Sequence, residues 1–202
     1  MQLLHWVLGV ASLAVLVLVG GRVRRVLQGG FNMQYFLYTR TPVGRWYHGK
    51  ALARGAAAAA HSGVKRTEFE SFSVWSVPYL ADNYAHVVVD RASGEAAVVD
   101  PADADAVERA VAAIRAETAG ALNLTTVLTT HDHMDHAGGN AALLRAYPRL
   151  RVYGGADDDV QACNHPLRAA GDGRVVSLTL GRLNVDVVRF LRPAYARRRR
   201  LV

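Results

Sequence analysis

Residues 129–140 read TTHDHMDHAGGN and place His131, Asp132, His133, Asp135 and His136 within six positions. Neutral imidazole and carboxylate are ligands for zinc, and also for iron or manganese. His131 and His133 are two apart, so on an extended segment leaving a strand both rings point the same way and can reach one ion. Asp135 and His136 follow where the chain turns toward a helix, and can face a second ion nearby. Two such ions, roughly 3.5–4 Å apart, can hold a bridging hydroxide, the nucleophile of metal-assisted hydrolysis. Gly138 and Gly139 are expected to let the backbone turn tightly without a Cβ clash.

The elements around this cluster suit it. The apolar run LTTVLTT reads as a buried strand feeding directly into it, and GGNAALLRAYPRL as a helix stopped near Pro148. Upstream, FESFSVWSV alternates, and AHVVVD and AAVVD are short β-branched runs joined by the turn sequence RASGE. DADAVERAVAAIRAE sets Val107, Val111 and Ile114 on one helical face with acidic residues in the first turn. RVYGG is a further short strand, and RVVSLTL and LNVDVVRF form an antiparallel pair joined by Gly-Arg. The whole is a layered α/β arrangement with the histidine cluster on a loop at a strand end, where ligand sites of such sheets commonly lie.

The 202 residues leave room for one domain and an appendage, and half of them are apolar. The net charge is +7, but four of the positive charges are the run Arg197–Arg200. Basicity gathered in a tail argues against a nucleic-acid-binding face. The single cysteine, Cys163, excludes an internal disulfide. It has no basic partner nearby in sequence that would make it reactive.

Leu3–Gly20 is an uncharged apolar run of 18 residues, about 27 Å as a helix, close to the hydrocarbon thickness of a bilayer. Arg22, Arg24 and Arg25 follow it, and no basic n-region precedes it. The expectation is a single membrane anchor over residues 1–21, with the folded region on the cytoplasmic side; a mitochondrial location is the alternative. Residues 22–66 read as a connector. Its aromatic residues Phe31, Tyr35, Phe36 and Tyr38 either lie at a membrane surface beside Arg40 and Arg45 or belong to an irregular linker. His48 and His61 are expected there in solvent. The basic tail, 192–202, either touches anionic lipid or is solvated.

THDHMDHAGG resembles the T-H-x-H-x-D-H-x-x-G signature of the metallo-β-lactamase fold. VPYLADNYAHVVVD and AAVVDPADADAVERAV resemble the opening strands of the hydroxyacylglutathione hydrolase (glyoxalase II) branch. FLYTRTPVGRWYHGK and RVYGG…NHPL are similar to its membrane-associated subfamily named for paroxysmal non-kinesigenic dyskinesia. The resemblance covers roughly residues 31–191. It implies the amino-terminal half of an αββα sandwich, here residues 67–191 and incomplete, preceded by one transmembrane helix. It also implies a zinc-dependent hydrolase of glutathione thioesters. His131 and His133 would bind the first ion and Asp135 and His136 the second, with Asp135 also helping to position the attacking hydroxide. Asn83 and Tyr84 match a family loop near the metal site.

Such enzymes complete the shell with a later histidine in a T-P-G-H-T-x-G-H-like segment, a bridging aspartate and a distal histidine. Here no histidine follows His165. His165 matches a non-ligand position, and Asp186 lies within the last strand rather than in a bridging context. Each ion keeps two donors, where a catalytic zinc usually has three and an open position. The expectation is therefore a shortened form, its ending joined near Arg192, that turns over weakly or not at all and leaves exposed a sheet face that a full domain would bury. Three functions compete: a metal-dependent thioester hydrolase, a membrane-tethered interaction protein without turnover, and a one-iron sulfur dioxygenase-like protein. Their metal contents differ: two zincs, none tightly held, or one iron.

Overall fold

The computed structural model describes residues 41–57, 62–168 and 175–188. The expected anchor at Leu3–Gly20, the aromatic stretch 31–38, His61 and the tail 192–202 lie outside them. The chain divides into two units, Met1–Ala51 and Leu52–Val202. Among the described residues no helix is long and apolar enough to cross a membrane.

The connector is more regular than a linker. Pro42–Ala57 forms helix α1. Thr41 precedes it, with its Oγ1 accepting the Gly44 amide at 3.1 Å, and Pro42 occupies the first helical position, where a missing N–H costs nothing. His48, expected in solvent, lies on this helix and is buried.

The second unit is built on a seven-stranded sheet: β1 (Lys65–Glu68), β2 (Phe72–Tyr79), β3 (Asn83–Asp90), β4 (Glu95–Val99), β5 (Asn123–Leu128), β6 (Arg151–Gly155) and β7 (His165–Leu167), ordered in space as in sequence. The first four strands are antiparallel neighbours, and β4 to β7 run parallel. Helix α2 (Ala104–Glu117) makes the crossover from β4 to β5; α3 (Met134–Ala137) and α4 (Asn140–Ala146) lie between β5 and β6. Strands β8 (Val175–Leu180) and β9 (Leu183–Val188) form a separate hairpin.

The sequence pattern explains this division. β2 alternates buried and half-buried residues, as an antiparallel strand with two unlike faces does. The parallel β4 is buried through Ala96, Ala97 and Val98. Helix α2 lays Val107, Val111 and Ile114 on the sheet's Val87, Val98 and Val127, all at most 1% exposed. Each such side chain contributes about 1.5–3 kcal/mol of burial. Asp103 starts the helix by accepting the Ala106 amide at 3.0 Å, a cap worth about 1 kcal/mol. The strand β7 carries no alternation that would announce it. It is three residues long and includes Pro166, which an edge position tolerates.

The second face of the sheet is partly covered by the β8–β9 hairpin. A groove of about 260 Å³ remains between them, lined by Val99, Leu128, Tyr153, Leu167, Val185 and Val187 among others. The hairpin is held at its turn, where the Arg182 amide donates to Asp90 Oδ2 at 2.7 Å and the Gly181 amide to Glu95 Oε2 at 3.2 Å.

Because β4, β5 and β6 are parallel, their carboxyl ends lie on one side of the sheet. The β2–β3 turn reaches the same side, which is where the histidine cluster sits.

Candidate metal centre

Three segments build the site: the end of β4 with Asp100, the β5 exit with Thr130 to His136, and the β2–β3 turn with Tyr79 and Asn83. Met134 and Ala137, both buried, anchor the one-turn helix α3. That anchoring leaves Asp135 and His136 on its half-exposed side. His133 occupies the extended position just before this turn (φ −67°, ψ 142°).

The structure brings the three imidazoles together. The rings of His131 and His133 are 4.4 Å apart between centroids, and those of His131 and His136 are 4.1 Å apart. His136 Nε2 lies 3.6 Å from Asp135 Oδ2, so the two donors expected to serve one ion are neighbours.

Asp100 organises the cluster. Its Oδ1 accepts the Thr130 amide at 2.8 Å, and its Oδ2 accepts the Thr130 hydroxyl at 2.8 Å and His136 Nδ1 at 3.0 Å. A carboxylate only accepts, so His136 carries its proton on Nδ1 and presents a lone pair at Nε2. The Thr130 hydroxyl has given its hydrogen to Asp100. It therefore accepts from His131 Nδ1, 2.9 Å away, and His131 too presents Nε2. One carboxylate thus fixes the tautomer of two imidazoles, the kind of outer support that metal-binding histidines use. Asp100 does this from a left-handed backbone (φ 51°), a conformation that aspartate tolerates better than most residues.

Tyr79 ties the two loops together. Its hydroxyl faces the backbone carbonyl of Asp135 at 2.7 Å and that of Asp100 at 3.1 Å. Burial first, then the Asp100 and Asp135 carboxylates, push its pKa far above the ordinary tyrosine value, so it stays a donor. Asn83 Nδ2 approaches both the carbonyl and Oδ2 of Asp135 at 3.4 Å. Tyr84 instead points away: it is exposed, and its hydroxyl lies 2.9 Å from Ser62 Oγ.

Neither glycine has an unusual dihedral, and Gly139 acts through space. Gly138 (φ −59°) and Gly139 (φ −87°) are both right-handed. A Cβ on Gly139 would lie 2.1 Å from the Pro101 carbonyl oxygen, so glycine lets the β5 exit press against the segment after β4. Next to it, fully buried Asn140 donates to Thr129 Oγ1 and to the Gln161 carbonyl, both at 3.0 Å.

The other residues weighed from sequence are elsewhere. His165 is exposed on β7, with Nδ1 2.7 Å from its neighbour Asn164 Oδ1. Asp186 accepts from Ser177 Oγ at 2.6 Å within the hairpin. His86 Nδ1 lies 3.1 Å from Ser76 Oγ on the second face of the sheet. Cys163 is half-buried, and burial raises its pKa, which keeps the thiol protonated and unreactive.

The donor chemistry fits a metal ion: imidazoles with their Nε2 lone pairs directed out, and a carboxylate beside one of them. The cage is partial. Among the described residues no three His, Cys, Asp or Glu side chains are grouped so as to hold an ion.

Asp100, Thr130 and Tyr79 carry no role in the sequence reading. Asp100 stands among Asp103 and Asp105 in DPADADAVERA and looks like any acidic residue before a helix. Its place at the carboxyl end of a parallel strand is the one signal that could have singled it out.

Residues 82–166 match the metallo-beta-lactamase superfamily. The chain is 42% identical over 90 residues to the cytoplasmic hydroxyacylglutathione hydrolase of Arabidopsis thaliana, covering 45% of this chain and 33% of that protein. It is 48% identical over 93 residues to the hydroxyacylglutathione hydrolase of Alkalilimnicola ehrlichii, covering 46% and 34%. The chain thus spans about a third of the length of these curated relatives. Among solved structures, a metallo-beta-lactamase from Pontibacter korlensis aligns with a TM-score of 0.44 at 15% identity, covering 61% of this chain and 59% of that one. Residues 82–166 are thus similar to the metallo-beta-lactamase superfamily, and the curated relatives named here are hydroxyacylglutathione hydrolases.

Proposed function

We propose that residues 129–136 are the metal-binding half of a thioester hydrolase centre of the hydroxyacylglutathione hydrolase type. The substrate class is a glutathione thioester, and the products are glutathione and a hydroxy acid. His131 and His133 would hold one ion, Asp135 and His136 a second; zinc suits the donors, and iron or manganese are possible. A metal held there would supply Lewis acidity and water activation at neutral pH. The observation that carries the reading is the Asp100 carboxylate, which turns His136, and through Thr130 also His131, so that both present Nε2.

The chain's own residues have distinct tasks. Asp100 holds the Nδ1 proton of His136 and fixes the ring. Thr130 relays the same constraint to His131. Tyr79 and Asn83 hold the Asp135 backbone and carboxylate, which sets the spacing between Asp135 and His136.

Residues 129–136 supply two donors for each ion where a catalytic zinc usually has three, so this segment by itself is expected to hold metal weakly. Leu3–Gly20 and the following arginines support a single membrane anchor with the folded region on the cytoplasmic side. Purified protein assayed with S-lactoylglutathione, with and without added zinc, tests the reading together with its metal content. One iron and sulfur dioxygenase activity would replace it with the dioxygenase-like function. No metal affinity at all would leave a tethered interaction protein.

A further inference from the structure

The two kinds of sheet edge in this molecule are treated differently. The seven-stranded sheet ends on β1, Lys-Arg-Thr-Glu, and on β7, three residues containing Pro166. Charge, shortness and proline are the usual means of keeping an edge from pairing with another chain. Strand β8 has none of them. It reads Val-Val-Ser-Leu-Thr-Leu, without charge or proline, and among the described residues its strand partner is β9 alone. Val175 at its start is 53% exposed. A two-stranded ribbon is marginal by itself in water, which favours the addition of further strands.

The turn fixes which amides are open. Leu180 pairs with Leu183 across the two-residue turn Gly181–Arg182, and Gly181 has φ 59° with Arg182 not in the left-handed region, as in a type II′ hairpin. The pair flanking such a turn is hydrogen-bonded, and hydrogen-bonded pairs alternate along the ladder. Leu180, Leu178 and Val176 therefore direct their amides at β9, and Thr179, Ser177 and Val175 direct theirs outward.

We propose that β8 pairs antiparallel with β8 of a second copy of this chain, giving a four-stranded sheet in the order β9-β8-β8-β9. A twofold axis at Ser177 sets Val176 opposite Leu178 of the second copy, and Val175 opposite Thr179. Residues opposite each other in an antiparallel pair share a face, so the half-buried positions meet each other and the exposed positions meet each other. The outward amides of Val175, Ser177 and Thr179 then find carbonyl partners. A strand without charge meets its own copy without repulsion, whereas β1 would set its charged side chains against one another. Leu180 and the turn held by Asp90 and Glu95 stay outside the overlap.

Analytical ultracentrifugation of the full chain, detergent-solubilised as needed, tests this. Wild type is expected as a concentration-dependent dimer of the 21.9 kDa chain. Ser177→Pro removes an outward amide while sparing the β9 ladder, and Ser177→Lys sets two like charges directly opposite each other on the twofold axis. Both are expected to abolish the dimer while circular dichroism and thermal melting stay near wild type, and either suffices if the other fails to fold. Thr67→Lys, on the charged β1, is expected to leave the dimer intact. A wild type that stays monomeric, whether or not another protein binds this edge, overturns the proposal; so does a dimer that survives both β8 substitutions.

Discussion

The Asp100 carboxylate accepts the Nδ1 proton of His136 at 3.0 Å from a backbone held at φ 51°. The same carboxylate takes the amide and hydroxyl of Thr130, so the end of β4 and the exit of β5 are joined at the residue that orients the cluster.

Asp100→Asn separates the charge of this group from its backbone role, because asparagine also tolerates the left-handed region. The amide nitrogen cannot accept, so one of the bonds to Thr130 or His136 is lost. Zinc affinity is expected to fall by about ten- to a hundredfold. Chelator competition measures it, and a variant that folds and binds zinc as wild type does would remove Asp100 from the orienting role.

Gly139→Ala is expected to destabilise the fold by about 3 kcal/mol or more, since the new Cβ meets the Pro101 carbonyl at 2.1 Å and the Ala104 amide at 2.9 Å, both backbone atoms. Urea denaturation monitored by tryptophan fluorescence reports the shift in midpoint. An unchanged midpoint would mean that the two segments do not press together there.

Tyr79→Phe removes one donor shared by two buried carbonyls, at a cost of about 1–3 kcal/mol, and frees the Asp135 backbone. In wild type the absorbance of phenolate should include no contribution from Tyr79 through the ordinary tyrosine range near pH 10, because burial and the two carboxylates raise its pKa. Difference titration of wild type against the variant decides this: equal phenolate yields are expected near that pH, and a deficit in the variant would contradict the assignment.

The hairpin's attachment should be lost in acid. Burial alone would raise the pKa of Asp90, but bonds from the Ser93 hydroxyl and from the Arg182, Ala92 and Ser93 amides outweigh it and hold the value below that of an ordinary aspartate. A depressed carboxylate stabilises fully above its unfolded value, about 3.9, and loses that contribution as pH falls through the folded value. The Arg182 amide resonance should therefore shift only below about pH 4, and Asp90→Asn should produce the shifted resonance at neutral pH. A transition centred above that range would assign it to another group.

Much of this architecture is legible in the residues. The alternation of FESFSVWSV, the stripe Val107–Val111–Ile114 and the Gly-Arg turn each became the element expected, and the three histidines came together. What escaped depends on contacts distant in sequence. Asp100 gains its role from a loop thirty residues away, which its own neighbours do not encode. The pair Gly138–Gly139 reads as sparing a Cβ clash, which holds at Gly139, but the partner in that clash, Pro101, is distant in sequence and not visible from the motif. Helix α1 has almost no apolar periodicity; its visible sign is the Thr41–Pro42 start. Strand β7 exists because β6 offers it an edge.

Zinc binding by the purified 202-residue chain, followed by chelator competition in wild type and His136→Asn, tests the proposed metal centre most directly. Weak zinc binding that the chelator strips readily, and that His136→Asn weakens further, is the result expected. Two zinc ions retained per chain against the chelator, or zinc binding indifferent to His136, would contradict it.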